Sequence, residues 1–230
     1  MKNKTLVIIM ITLAFLIGGI TSQLIFKNNS NQLKDLPKPE ITDGIRGTNF
    51  GIDKNINEDT IDNYLNREDS VYRDMRMLID AGDYESIGGD SYLSGIIKGF
   101  EAVPLPKIVN VTGLPEEVGD TYQGTTLFTL TEDGKYSPNY EESMEYLEYY
   151  FPKDKNIFLM CGGGGYSGMM KEMLINLGWD KNKIYNTGAH WSYNGNNNII
   201  IKNTKNGDVS YDFWKVTYHD IDFKILHKVD

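Results

Sequence analysis

The hydrophobic pattern divides the chain into three unlike parts. Residues 5 to 26 carry no charge and lie between Lys2 and Lys4 on one side and Lys27 on the other. About 22 residues at about 1.5 Å each match a hydrocarbon core of about 30 Å, so residues 1–27 read as a membrane anchor. The purer apolar run, Leu6 to Ile20, also has the length of a signal-peptide core, with Thr21-Ser22 as small residues before a cleavage point. On either reading Lys2 and Lys4 stay in the cytoplasm and the rest of the protein is extracytoplasmic. From 28 to 54 the sequence is rich in Asn, Lys, Asp, Gly and Pro without a sustained period, and it reads as a linker.

Periodicity returns at about residue 55. Ile61, Tyr64 and Leu65 fall at helical spacing behind Glu58 and Asp59, predicting a short helix over 58–65. Val71 to Arg76 reads as a strand running into a loop. The polar, Gly-rich stretch 82–98 leads to a short strand, Phe100 to Val103, which Pro104 stops. The polar insertion 112–137 carries turn signals at Asp133-Gly134 and Ser137-Pro138 and predicts a hairpin or a lid.

Asn139-Tyr140-Glu141-Glu142 has the form of a capping box. Tyr140, Met144, Leu147 and Phe151 follow at helical spacing until Pro152. Ile157 to Met160 is a continuous apolar run, as expected of a parallel strand buried on both faces. Ser167 to Leu177 places Met170, Met173, Leu174 and Leu177 on one side before Gly178. Ile184-Tyr185 opens another strand. Asn198 to Ile201 and Val209 to Tyr218, joined around Asn206-Gly207, predict a β-hairpin. Together these elements predict an α/β domain over 55–195, a central parallel sheet flanked by helices, followed by a C-terminal extension over 196–230.

With 230 residues, 40% hydrophobic and 24% charged, the composition excludes wholesale disorder and a multi-span membrane protein. A net charge of −9 repels phosphate backbones and argues against nucleic acid as a partner. His190, His219 and His227 have no metal-ligand spacing, and His190 beside Trp191 reads as a packing residue. Cys161 is the only cysteine, so no intramolecular disulfide forms.

That cysteine stands where chemistry is expected. Cys161-Gly162-Gly163-Gly164-Gly165-Tyr166-Ser167 joins a buried strand to a helix. Successive glycines let backbone N–H groups curl inward, and the helix adds its unpaired N–H groups and positive dipole end. Such a nest stabilises an anion, including a thiolate, the nucleophilic form of a cysteine. A cysteine phosphatase loop of the same length needs Arg at its end, where this chain has Ser167.

The loop, with its cysteine and five further residues before a helix, resembles that of the rhodanese-like sulfurtransferases. Asp74-Met75-Arg76 is similar to the family's Asp-Val-Arg, and Gly95 to Pro104 is similar to its Gly-His-Ile-x-Gly-Ala-x-x-x-Pro segment. Gly188-Ala189-His190-Trp191 resembles the Gly-Gly and Trp near its C-terminal end. The resemblance runs from about Ile56 to Gly195 in the family's order. It implies a rhodanese-like three-layer fold and a persulfide mechanism. Cys161 would take sulfane sulfur from thiosulfate, polysulfide or a persulfide and pass it to a thiol or another acceptor, with no cofactor. Gly162, Gly163, Gly164, Gly165, Tyr166 and Ser167 would bind the substrate, with Tyr166 offering a hydroxyl, an aromatic wall or only packing. Asp74 and Arg76 would form a structural ion pair beneath the site. Gly162 stands where many members carry Arg, and Tyr166 where many carry Arg or Thr, which favours polysulfide or a protein persulfide over thiosulfate. The alternative expectation is a tethered, non-catalytic module that carries sulfur, senses oxidants or docks a partner.

Overall fold

The computed structural model describes residues 35–40, 42–44, 48–77, 95–110 and 124–229. In chain order its strands and helices are β1 (Ser70–Asp74), β2 (Gly95–Ile97), β3 (Glu101–Ala102), α1 (Leu105–Ile108), β4 (Phe128–Leu130), β5 (Tyr136–Pro138) and α2 (Ser143–Tyr150). There follow β6 (Asn156–Cys161), α3 (Gly165–Asn176), β7 (Ile184–Ala189), β8 (Asn198–Ile200), β9 (Lys202–Lys205) and β10 (Asp208–Tyr211). The anchor or signal expected over 5–26 lies outside the described residues. Among those described, no helix is long and apolar enough to cross a membrane.

The fold is α/β, with a central parallel sheet in the order β3–β1–β6–β7 and few helices. Asp74 of β1 pairs with Met160 of β6, and Cys161 pairs with Ala189 of β7 across a register shift after Leu159. The carboxyl ends of three strands therefore meet on one edge, where sites form in such sheets.

Side-chain alternation along β6 sends Ile157 and Leu159 to one apolar cluster and Phe158 and Met160 to another. The first is closed by Leu147, Tyr150 and Phe151 from α2 and its end, and by Met170, Met173 and Leu174 of α3. In the second, Tyr72, Phe158 and Tyr185 stack across three strands with ring centroids 5.0 and 4.9 Å apart. Ile56 and Ile61 cover these rings together with Ile96, Ile97 and Ile199 of the antiparallel β2–β8 ribbon. With both faces covered, β6 is apolar from Ile157 to Met160, as the sequence predicts.

Several expectations change. The helix expected over 58–65 is a 3₁₀ turn, Ile61–Tyr64. The capping box is not formed. Asn139 instead turns its side chain to the β4–β5 hairpin, accepting from Thr129 Oγ1 at 2.9 Å and donating to Thr126 O at 2.9 Å. The insertion supplies that hairpin over 128–138, and 111–123 lie outside the described residues. Stretch 28–54 is not a free linker in its described second half. Thr48 and Asp53 are buried, and Asp53 accepts from the N–H groups of Glu40, Asn55 and Ile56 at 2.7–2.9 Å.

At the C-terminus, Asn206 and Gly207 have φ of 57° and 91°, the two positive values that a tight two-residue hairpin turn needs. The hairpin they close pairs β9 with β10, whereas β8 pairs with β2.

Candidate functional site

Cys161 is the last residue of β6, and α3 begins four residues later. The turn between them depends on Gly164, whose φ of +83° is a left-handed conformation that a side chain disfavours. With the chain reversed there, Gly164 N–H points back at Cys161 Sγ, 3.1 Å away, and Ser167 Oγ lies 3.5 Å from the same sulfur. The first turn of α3, beginning at Gly165, adds N–H groups without partners inside the helix. The thiol is 3% exposed.

The six loop residues predicted to bind a ligand divide sharply. Gly164 and Ser167 reach the sulfur. The Gly162 carbonyl accepts from Trp191 N–H at 3.2 Å. Gly163 donates no hydrogen bond to the sulfur, and Gly165 serves as the first residue of α3. Tyr166 is 4% exposed and packs in the same apolar cluster as Cys161. Among the described residues the sulfur thus meets one amide, that of Gly164, while the Ser167 hydroxyl at 3.5 Å has a nearer acceptor, Asn186 Oδ1 at 2.8 Å.

Asn186, in the middle of β7 and fully buried, ties this arrangement together and was not singled out from the sequence. Its Oδ1 accepts from Ser167 Oγ at 2.8 Å and from Gly188 N–H at 3.1 Å, and its Nδ2 donates to Gly164 O at 3.1 Å. The available signal was an amide set inside the otherwise strand-like run Ile184-Tyr185-Asn186-Thr187.

Asp74 and Arg76 form an ion pair with side chains 1% and 0% exposed. Arg76 Nε and Nη2 lie 2.9 and 2.5 Å from the two carboxylate oxygens, and Nη2 also donates to Gly95 O at 2.9 Å. The pair closes the end of β1 beside Met160 and does not reach the thiol through any hydrogen bond. His190 is buried with Nε2 3.0 Å from Asn198 Oδ1, a bond that ties it to β8.

Two further charged sites lie close to the loop. Glu58 presses against Gly188, where a Cβ would meet Glu58 Oε2 at 2.2 Å, and burial pushes its carboxyl above the usual range. Lys171 of α3 is 2% exposed, with its ammonium 5.5 Å from the Phe50 ring centroid. Burial draws it down to about 8, and Asp53 opposes that change.

Among the described residues no group of His, Cys, Asp or Glu is arranged to hold a metal ion. No protein-family model, curated protein or solved structure matches the chain. The functional reading therefore rests on the site itself.

Proposed function

We propose that the protein is a rhodanese-type sulfurtransferase acting through a Cys161 persulfide. The observation that carries this reading is the Gly164 N–H aimed at Cys161 Sγ, 3.1 Å away, where a central parallel strand turns into a helix. A backbone donor and a helix N-terminus at one sulfur favour its anionic forms, thiolate before the reaction and persulfide after it. With thiosulfate as donor, the Cys161 thiolate attacks the outer sulfur. The new S–S bond forms as the old one breaks, and sulfite leaves with the electron pair of the broken bond. An acceptor thiolate then takes the outer sulfur, and Cys161 returns as thiolate. Polysulfide and protein persulfides enter by the same displacement and suit a loop without a side-chain cation.

One observation favours a second reading. The thiol is 3% exposed within an apolar cluster, as suits a non-catalytic module that stores sulfur, senses oxidants or docks a partner. The two readings part in one experiment. The full chain is incubated with thiosulfate or polysulfide, and Cys161 is examined by mass spectrometry for one added sulfur. Sulfite or acceptor persulfide is counted per chain. The enzyme reading expects loading of Cys161, many turnovers per chain, and neither in Cys161→Ser. Loading without turnover selects the storage module, and no loading from any donor sinks sulfur transfer.

A further inference from the structure

Asn186 has every hydrogen-bonding capacity of its amide in use. Besides the three bonds around Ser167, Gly188 and Gly164, its Nδ2 lies 3.4 Å from Phe50 O. Two of these partners are carbonyls, which only accept, and Gly188 N–H only donates, so the amide has one possible orientation. An apolar residue of the same size would leave the buried Gly188 N–H without this acceptor and would hold neither Ser167 nor Gly164. What the amide adds is control of the two groups that touch the sulfur. It holds the Gly164 carbonyl, fixing the turn whose N–H meets Cys161 Sγ. It also claims the Ser167 hydroxyl proton, which has three acceptors in reach: Asn186 Oδ1 at 2.8 Å, Gly164 O at 3.1 Å and Cys161 Sγ at 3.5 Å.

We propose that Asn186 is a positioning residue for Cys161, fixing the turn that aims the Gly164 amide at the sulfur and holding the Ser167 hydroxyl beside it. This rests on the reading of Cys161 as the nucleophile. The charged and titratable groups around the loop are Asp74 and Arg76 at the end of β1, Glu58 against Gly188, His190, Tyr166, and Lys171 with Asp53 at α3. None of them hydrogen-bonds to the Asn186 side chain, whose partners are Ser167, Gly188, Gly164 and Phe50.

The test measures alkylation of Cys161 by iodoacetamide across pH in the full chain, comparing wild type, Asn186→Ala, and Tyr185→Phe as a control. The Tyr185 hydroxyl bonds to Pro37 O at 2.9 Å, away from the loop. Asn186→Ala should move the midpoint of the profile up by about one pH unit, which is about a tenfold loss of rate at neutral pH. The rate at the alkaline plateau should stay near that of wild type. Tyr185→Phe should leave the midpoint in place. An Asn186→Ala midpoint equal to that of wild type overturns the proposal. A second measurement needs no variant: the side-chain amide resonances of Asn186 in the wild-type chain should shift when Cys161 is alkylated, and resonances that stay fixed also overturn it. Alkylation uses no sulfur donor, so a moved profile with no persulfide formed by wild type keeps Asn186 as positioning residue and removes sulfur transfer. Persulfide formation with an unmoved profile does the reverse.

Discussion

At the scale of single residues, the ion pair of Arg76 and Asp74 carries the largest electrostatic stake. Both side chains are out of water, and the guanidinium joins the carboxylate to the carbonyl of Gly95. Its net contribution to stability is small, because removing two charges from water costs nearly what their attraction returns. Breaking it is another matter. Arg76→Gln leaves a buried carboxylate without its cation and should lower stability by about 3–5 kcal/mol, read from the urea midpoint. Lys135→Gln, at the exposed pair with Asp133, should leave the midpoint unmoved. Asp74 and Arg76 were expected as a pair only through the resemblance of Asp74-Met75-Arg76 to the Asp-Val-Arg of the rhodanese-like family. Cys161, Gly164 and Ser167 were legible only as members of one glycine-rich strand-to-helix loop. Which loop members face the sulfur was not legible, since the left-handed turn at Gly164 decides it and four successive glycines offer four places for that turn. Asn186 escaped because its partners, Ser167 and Gly164, lie about twenty residues away in sequence and meet it only through the β6–β7 pairing.

At the scale of elements, stretch 48–56 acts as a strap over α3. A Cβ at Gly168 would meet Phe50 O at 2.5 Å, and Asn49 Nδ2 donates to Glu172 Oε1 at 2.6 Å. The strap buries Lys171, and this has a consequence for pH. Burial holds its ammonium at about 8 in the folded chain, below the ordinary 10.5, so from about pH 8 upward the unfolded chain binds more protons than the folded one. Stability from this group therefore rises with pH above about 8 and is lost as pH falls through it. Asp53 is raised by the same burial, and its stabilising contribution fades as pH rises within the acid range. Tyr136, Tyr150 and Tyr185, pushed up to about 12 by burial, act in the opposite sense to Lys171 only above about pH 10. Between pH 8 and 9.5 the stability of wild type relative to Lys171→Met should rise by about 1–2 kcal/mol, measured by urea unfolding at both values. A flat difference would mean that water reaches the ammonium. The strap was read as a linker because irregular backbone has no period. Its order comes from Asp53 collecting three backbone N–H groups, which composition alone does not reveal.

At the scale of the whole molecule, the C-terminal residues are a binding rather than an appendage. Local patterns found every strand of the parallel sheet and the helix after Cys161, but they separated 196–230 because its pairings are distant in sequence. β8 reaches back to β2, and Ala102 N–H donates to Thr217 O at 2.8 Å while His219 N–H donates to Ala102 O at 2.9 Å. The segment thereby pairs with β3 and covers an edge of the parallel sheet that would otherwise offer open hydrogen bonds to another chain. Glu101 joins the two side by side, its Oε2 lying 2.7 Å from Arg73 Nη1 and 2.7 Å from His219 Nε2. Farther on, Glu141 N–H donates to His227 O and Val229 N–H to Asn139 O, fastening the end of the chain to the entry of α2. Ile221, 6% exposed, belongs to the same cluster as Leu159 and Met170. If the extension folds with the domain, Ile221→Ala opens a cavity in that shared core and should cost about 2–4 kcal/mol. The loss should appear as one cooperative urea transition with a lowered midpoint and an unchanged slope. An independent extension would give a second, earlier transition that alone responds to the substitution. Hydrogen exchange sharpens the test, because the Ala102 amide should then open only with global unfolding, at the rate of the β6 amides.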